Sequence, residues 1–428
     1  MLRTIDLRSS HSASVLPAHS PVSDGKTEAV VRDILRKVEA EGDEALRFYA
    51  RKFDGVTLKS ISVPEKEIFG ALAGADAEFV KILRSSARNI RAFHQHQVRS
   101  SWSIPGGKGS TLRQRIQPVQ RAGVYVPGGK AAYPSTVLMN VIPAQVAGVD
   151  EICLVSPPDK RGKVHRDVLA AAAVLGIRKI FCVGGAQAIA ALAFGTRTIP
   201  RVDVIVGPGN VFVAAAKRMV FGLVGIDAVA GPSEIVILAD KTANPDFLAA
   251  DMLAQSEHDE SASSILVTPS SRLIADVEKC LAKYLRTLPR AEMIKKALRR
   301  NGKAYRVKDL AQGVELVNRI APEHLEIVTA GDESILRQIR NAGSIFLGEY
   351  SPVVVGDYFA GPNHVLPTNG TARFASPLSV ETFVKRSSVV KFSRAMMKSV
   401  SEPVARFAEH EGLTAHALSA RLREREDA

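Results

Sequence analysis

The stretch KIFCVGGAQAIAALAFG, residues 179–195, runs four apolar residues into a Gly-Gly turn and then into an alanine-rich segment. Four apolar residues ending at glycine suit a buried strand, and the Ala-rich continuation suits a helix. The same unit recurs in GVYVPGG (123–129), EICLVSPP (151–158), VDVIVGPGN (202–210) and EIVILAD (234–240). Strands apolar on both faces, each followed by a turn and a helix, predict a parallel sheet covered on both sides. A second set follows, with strands predicted in SSILVTP (263–269), LEIVTA (325–330) and SIFLG (344–348).

Around these repeats the pattern changes. Apolar spacing of three and four residues over 27–53 and 76–96 predicts a helical lead-in, which is followed by the strand-like TLRQRIQPVQRAGVYV (111–126). Residues 393–423 read as two helices separated by Gly412. The expected fold is α/β, with two Rossmann-like parallel-sheet domains of incomplete dinucleotide-binding type. An amino-terminal arm is expected over 1–21 and a discontinuous α/β domain over 22–121 and 235–380. A nucleotide-binding domain is expected over 122–234 and a helical tail over 381–428.

A chain of 428 residues is too long for one compact core. Its three cysteines, Cys153, Cys182 and Cys280, lack CxxC spacing, so any metal needs nitrogen and oxygen ligands. The net charge of +13 is dispersed, and the densest basic run, KKALRRNGK (295–303), has no interleaved aromatics. It reads as a solvated helix end, not a nucleic-acid surface. No apolar run approaches the length of a membrane span. The first 26 residues lack the apolar core of a secretory signal, so a cytoplasmic protein is expected, with an organellar transit segment as the alternative.

Two features point to chemistry. In VGGAQAIAALAFG and IVGPGNVFVAAAKR, helix-start N–H groups behind a small-residue turn could meet a pyrophosphate. Neither has GxGxxG or GxxxxGK[ST] spacing, and turns needed only for close packing are the plain alternative. VPGGKAAYPS (126–135) adds a third such turn and favours a ligand crevice. In AADMLAQSEHDESASSILV (249–267), Gln255 and His258 stand three apart, on one face of a helix, although a solvated helix end would look the same. His324 in NRIAPEHLEIV, His364 in GDYFAGPNHVLPT and His416 in HEGLTAHALSARL share polar or turn-like surroundings. Glu323 and His324 form an exposed acid-base pair at a strand entry, or else a charged turn.

Together RAGVYVPGGKAAYPSTVLMNVIPAQVAGV, VGGAQAIAALAFGT, VDVIVGPGNVFVAAAKR, AGPSEIVILAD, LAQSEHD, APEHLEI, GDYFAGPNHVLPT and EGLTAHA resemble the histidinol dehydrogenase family over nearly the whole chain. The resemblance implies a zinc- and NAD-dependent enzyme that oxidises L-histidinol through L-histidinal to L-histidine, the last step of histidine biosynthesis. By motif it implies one Zn2+ per subunit on Gln255, His258, Asp357 and His416, residues that also meet the substrate. It assigns the proton-accepting base to His324, water activation to Glu323, and further substrate contacts to Ser233, His364 and Glu411. NAD contacts fall on Tyr125, Gln187 and Asn210. A homodimer with exchanged tails is implied, so that His416 and Glu411 act in trans. The chain departs from the family at Val353 of YSPVVVGDY, where Glu is common. That residue either helps hold the substrate ammonium or lies behind the site. A related zinc and NAD dehydrogenase of another small alcohol or diol is the alternative; a non-catalytic dinucleotide-binding regulator would predict a broken ligand set, and all four positions are present.

Overall fold

The computed structural model describes residues 2–9, 24–128 and 132–424. The chain divides into a larger unit, Met1–Gln97 with Gln120–Phe383, and a smaller one, Val98–Val119 with Val384–Ala428.

The larger unit opens with β1 (Arg3–Asp6), followed by α1 (Gly25–Glu41), α2 (Asp43–Tyr49), α3 (Glu65–Ala73) and α4 (Ala77–Gln95). The expected helical lead-in is therefore present. Asp24 caps α1 by accepting the Thr27 N–H at 2.8 Å, and Val31, Ile34, Leu35 and Val38 bury one stripe at helical spacing. β2 (Trp102–Gly107) and β3 (Ser110–Pro118) belong to the smaller unit.

The repeats that begin at residue 121 give β4 (Arg121–Tyr125), α5 (Pro134–Ala147), β5 (Glu151–Ser156), α6 (Arg166–Val174), β6 (Lys179–Cys182), α7 (Gly185–Phe194), β7 (Val204–Val206), α8 (Val211–Val220) and β8 (Gly225–Ile226). Their parallel sheet has the order β6-β5-β4-β7-β8. The chain winds outward from β4 to β6 and then returns to the other side of β4, which makes a topological switch between β4 and β7.

One buried ion pair pins that switch. Lys217 on α8 is 2% exposed; its Nζ donates to the Gly207 carbonyl at 2.9 Å and pairs with Asp227, whose Oδ2 accepts the Gly207 N–H at 2.8 Å. Lys217→Met leaves a buried carboxylate uncompensated, so it is expected to lower unfolding free energy by about 3–5 kcal/mol in urea titration. A change under about 1 kcal/mol, typical of exposed pairs, would contradict this.

The second parallel sheet is built from β9 (Glu234–Ala239), α9 (Pro245–Ser256), β10 (Ser263–Thr268), α10 (Ser271–Tyr284), α11 (Ala291–Asn301), β11 (Lys303–Arg306), α12 (Leu310–Ile320), β12 (His324–Val328), α13 (Asp332–Leu336), β13 (Ser344–Leu347) and α14 (Val353–Tyr358), with order β1-β11-β10-β9-β12-β13. Within the amino-terminal arm expected over 1–21, β1 pairs Arg3–Asp6 in parallel with Lys303–Arg306. An edge strand is held by backbone bonds, which RTID gives no periodicity to announce. Residues 10–21 of that arm lie outside the described residues.

In the smaller unit β14 (Val384–Lys391) pairs antiparallel with β3, which also pairs with β2. The tail over 381–428 is therefore not wholly helical. VKRSSVVK lacks a clean apolar face and is mostly exposed, so alternation could not mark it. α15 (Arg394–His410) and α16 (Thr414–Leu422) follow, joined at Gly412 as expected, and close on Ala405, Ala408, Ala417 and Ala420. Among the described residues no helix is long and apolar enough to cross a membrane.

Candidate active site

A helix that links two parallel strands runs back against them, so its last turn arrives at the amino-terminal edge of the sheet. α9 does this between β9 and β10; at that edge the Ser263 N–H meets the Ser233 carbonyl at 3.0 Å. β12 lies beside β9, with His324 opposite Ile235. Ser233, Glu234, Glu323 and His324 thus gather at the amino ends of two neighbouring strands, with the end of α9 close by. Many α/β proteins place ligands at the carboxyl ends instead.

Glu323 and His324 are each 5% exposed, which corrects the expectation of an exposed pair. Glu323 Oε2 accepts the Glu234 N–H at 2.8 Å and lies 3.5 Å from His324 Nδ1. That nitrogen is also 3.1 Å from the Glu234 carbonyl, so it carries the hydrogen as donor and leaves Nε2 as the proton-accepting atom. Gly343 permits this packing: a Cβ there would stand 2.6 Å from the Glu323 carbonyl oxygen. Burial pulls the His324 pKa down, but the Glu323 carboxylate, then Asp357 and the Glu234 carbonyl, outweigh it and hold the ring at about 9. The side chain does not titrate near neutrality as a free histidine does. Burial, reinforced by Glu323, pushes the Glu234 carboxyl up to about 7.

Asp357 and His364 belong to the same cluster. His364 Nδ1 lies 3.0 Å from the Asp357 carbonyl and 3.8 Å from its Oδ1. Burial lowers the His364 pKa; Asp357 opposes this, while the charges of His324 and His258 add to it. α9 ends at Ser256, so His258 is not on its face as the three-residue spacing predicts. It stands in the following turn, with its N–H 3.3 Å from the Gln255 carbonyl, and is exposed. Val353 is buried in the apolar cluster under α9 with Met252 and Val328. Such packing favours the second of the two readings, a residue behind the expected site.

Among the described residues no three His, Cys, Asp or Glu side chains form a ready metal group. The expected ligand set, however, relies on an amide. Gln255 is 2% exposed and its Nε2 has no hydrogen-bond partner. Amide nitrogen and oxygen are interchangeable assignments, and the turned amide offers an unpartnered oxygen. That orphaned end, with the Asp357 carboxylate and the His258 imidazole, fits a metal taking oxygen and nitrogen ligands. Glu411 and His416 lie in the smaller unit, after α15 and within α16, and both are exposed there.

The residues expected to meet a dinucleotide are more enclosed than their motifs imply. Tyr125 and Gln187 are buried, and the Tyr125 hydroxyl accepts the Gly185 N–H at 3.1 Å. Asn210 Oδ1 caps α8 through the Phe212 and Val213 N–H groups at 3.0 and 3.1 Å. A Cβ at Gly207, where φ is +111°, would stand 2.1 Å from the Tyr125 carbonyl oxygen, and one at Gly184 2.4 Å from Pro157 Cβ. These glycines are needed for close packing, whatever they also bind. The third turn runs through residues 129–131, outside the described residues.

No motif singles out Glu234 of this cluster, nor Asp251 and Glu326 near it. Two signals existed. Asp251 precedes Gln255 by one helical turn, and Glu326 follows His324 by the two residues that keep a strand face.

The family model described as histidinol dehydrogenase matches residues 18–424. Histidinol dehydrogenase of Geobacillus kaustophilus (strain HTA426) is 53% identical, covering 92% of this chain and 93% of that protein. That of Bacillus subtilis (strain 168) is 52% identical, covering 92% of each. The crystal structure of histidinol dehydrogenase from Elizabethkingia anophelis is 35% identical with a TM-score of 0.92, covering 99% of this chain and 98% of that one.

Proposed function

Because the chain belongs to the histidinol dehydrogenase family, NAD-dependent oxidoreductases that oxidise histidinol in histidine biosynthesis, we propose a four-electron reaction: L-histidinol passes through L-histidinal to L-histidine, and two NAD are reduced. The observation that carries it is the buried Glu323–His324 pair at the entry of β12, with Asp357 close enough to act on the His324 ring.

Gln255, His258 and Asp357, with His416 of the partner subunit, would hold one Zn2+. When bound, the zinc supplies a fixed positive centre that orients the substrate's nitrogen atoms without redox work, and each NAD supplies a hydride acceptor. His324 takes the hydroxyl proton at Nε2, its Nδ1 hydrogen anchored on the Glu234 carbonyl. Glu323 takes a proton from the water that adds to the aldehyde. Ser233, His364 and Glu411 contact the substrate, while Tyr125, Gln187 and Asn210 shape the NAD crevice at the β4–β7 switch.

The working form proposed is a cytoplasmic homodimer with exchanged tails. Val390, Phe407 and Leu418 of the smaller unit are 66%, 70% and 56% exposed, apolar surface of the kind a second copy would cover.

A base must be neutral to accept a proton, and His324 holds its proton up to about pH 9. We expect kcat/KM for L-histidinol to rise about tenfold per pH unit below that point and level off above it. NADH formation followed from neutral to alkaline pH checks this. A profile already flat near pH 7 would contradict a base whose proton is held to about pH 9.

A further inference from the structure

One pair of acidic side chains outside the reacting cluster is buried in an apolar layer. Glu326 stands two residues after His324 on β12, so both side chains leave the same face of the strand. Ile237, Met252, Val328 and Val353 pack into one apolar cluster on that face. Glu326 is 2% exposed and lines one small cavity together with Asp251 of α9. Its Oε1 also accepts the N–H of Val353, the first residue of α14, at 3.0 Å. This bond uses the backbone, so it is indifferent to the change from the family's Glu. The small cavity here is lined by a third acid, Glu349, already accepting the Asn244 N–H, and by no lysine or arginine.

Two carboxyl groups that meet in one such cavity can hydrogen-bond each other only if one keeps its hydrogen, because two carboxylates have none. With no lysine or arginine lining the cavity, buried acids of this kind keep a proton. Burial, then the neighbouring Asp251, raises the Glu326 carboxyl to about 8, and burial raises Asp251 to about 6. His324 on the same strand acts on Glu326 in the opposite sense. Asp357 is the charged residue of α14 itself.

We propose that Asp251 and Glu326 share one proton as a positioning pair, and that Glu326 fixes the start of α14 so that Asp357, one turn later, is held for the metal and for His324. The effect on metal rests on the reaction proposed above.

Two variants separate a neutral hydrogen-bonding role from mere space filling. Glu326→Gln keeps an acceptor for Val353 and offers an N–H to an Asp251 carboxylate. Glu326→Leu keeps bulk and does neither. The holoenzymes are compared by metal content per subunit, kcat and KM with L-histidinol, urea unfolding, and infrared difference spectra against wild type. Glu326→Gln is expected to stay within about twofold of wild type, and Glu326→Leu to lose about 10–100-fold in metal affinity or kcat/KM. The wild type minus Gln spectrum near neutral pH is expected to show the carbonyl stretch of a protonated carboxylic acid. A Gln variant as impaired as Leu, a Leu variant like wild type, or the lack of that band would each overturn the proposal. If the Leu variant does not fold, the Gln rescue and the band decide. If wild type does not oxidise L-histidinol, the reaction proposed above fails, and the band with the unfolding midpoints still decides the pair.

Discussion

Glu323→Gln is expected to lower steady-state NADH formation from L-histidinol by about 10²–10⁴-fold, the usual contribution of a positioned general base, while preserving one rapid NADH per site in a single turnover. The reason is that the two oxidations need different bases. In the proposed reaction His324 serves the alcohol step, and Glu323 is needed only when water must add to the aldehyde. Gln can still accept the Glu234 N–H that Glu323 Oε2 now accepts at 2.8 Å, so the strand entry keeps its geometry. It also removes the carboxylate that does most to hold the proton on His324, which makes that ring a readier base near neutrality. Stopped-flow absorbance shows the burst. Its disappearance would transfer Glu323 to the alcohol step and sink the division of labour.

The second large effect concerns the tail. His416→Ala and His324→Ala chains should each be nearly inactive as homodimers. Co-expressed with different tags and isolated as a mixed dimer, they should recover about half of wild-type activity if tails are exchanged in a two-fold dimer. One site then combines an intact His324 with an intact His416 of the partner subunit, and the other collects both defects. If each tail serves its own subunit, every site keeps one defect and the mixed dimer stays inactive. That result, with both tags confirmed in one species, would refute the exchange.

Much of the larger unit is legible because its signals are local. Ile180, Phe181, Cys182 and Val183 form a strand's length of apolar side chain before glycine, and all four are buried. The Glu323–His324 entry is legible for the same reason, since Pro322 and the apolar run after it mark where a strand starts. What burial does to that pair is not legible. EH reads as a charged turn until the sheet places Glu234 beside it and takes water away. Asp251 and Glu326 show the same limit: nothing in DMLAQ or HLEIV tells a buried, protonated carboxyl from a solvated one. The edge strand Arg3–Asp6 and the exposed strand Val384–Lys391 are held by backbone pairing over long separations, which composition does not encode. His258 shows a different failure. The three-residue spacing from Gln255 is correct, but the helix stops at Ser256 and a turn does the positioning.

The most direct measurement is the count of NADH formed for each L-histidinol consumed by the purified protein, with an aldehyde trap in solution. Two NADH, L-histidine as product and no trapped aldehyde are predicted, because the proposed reaction gives one buried site a base for each oxidation. One NADH with aldehyde released, or turnover of an unrelated diol and none of L-histidinol, would contradict it.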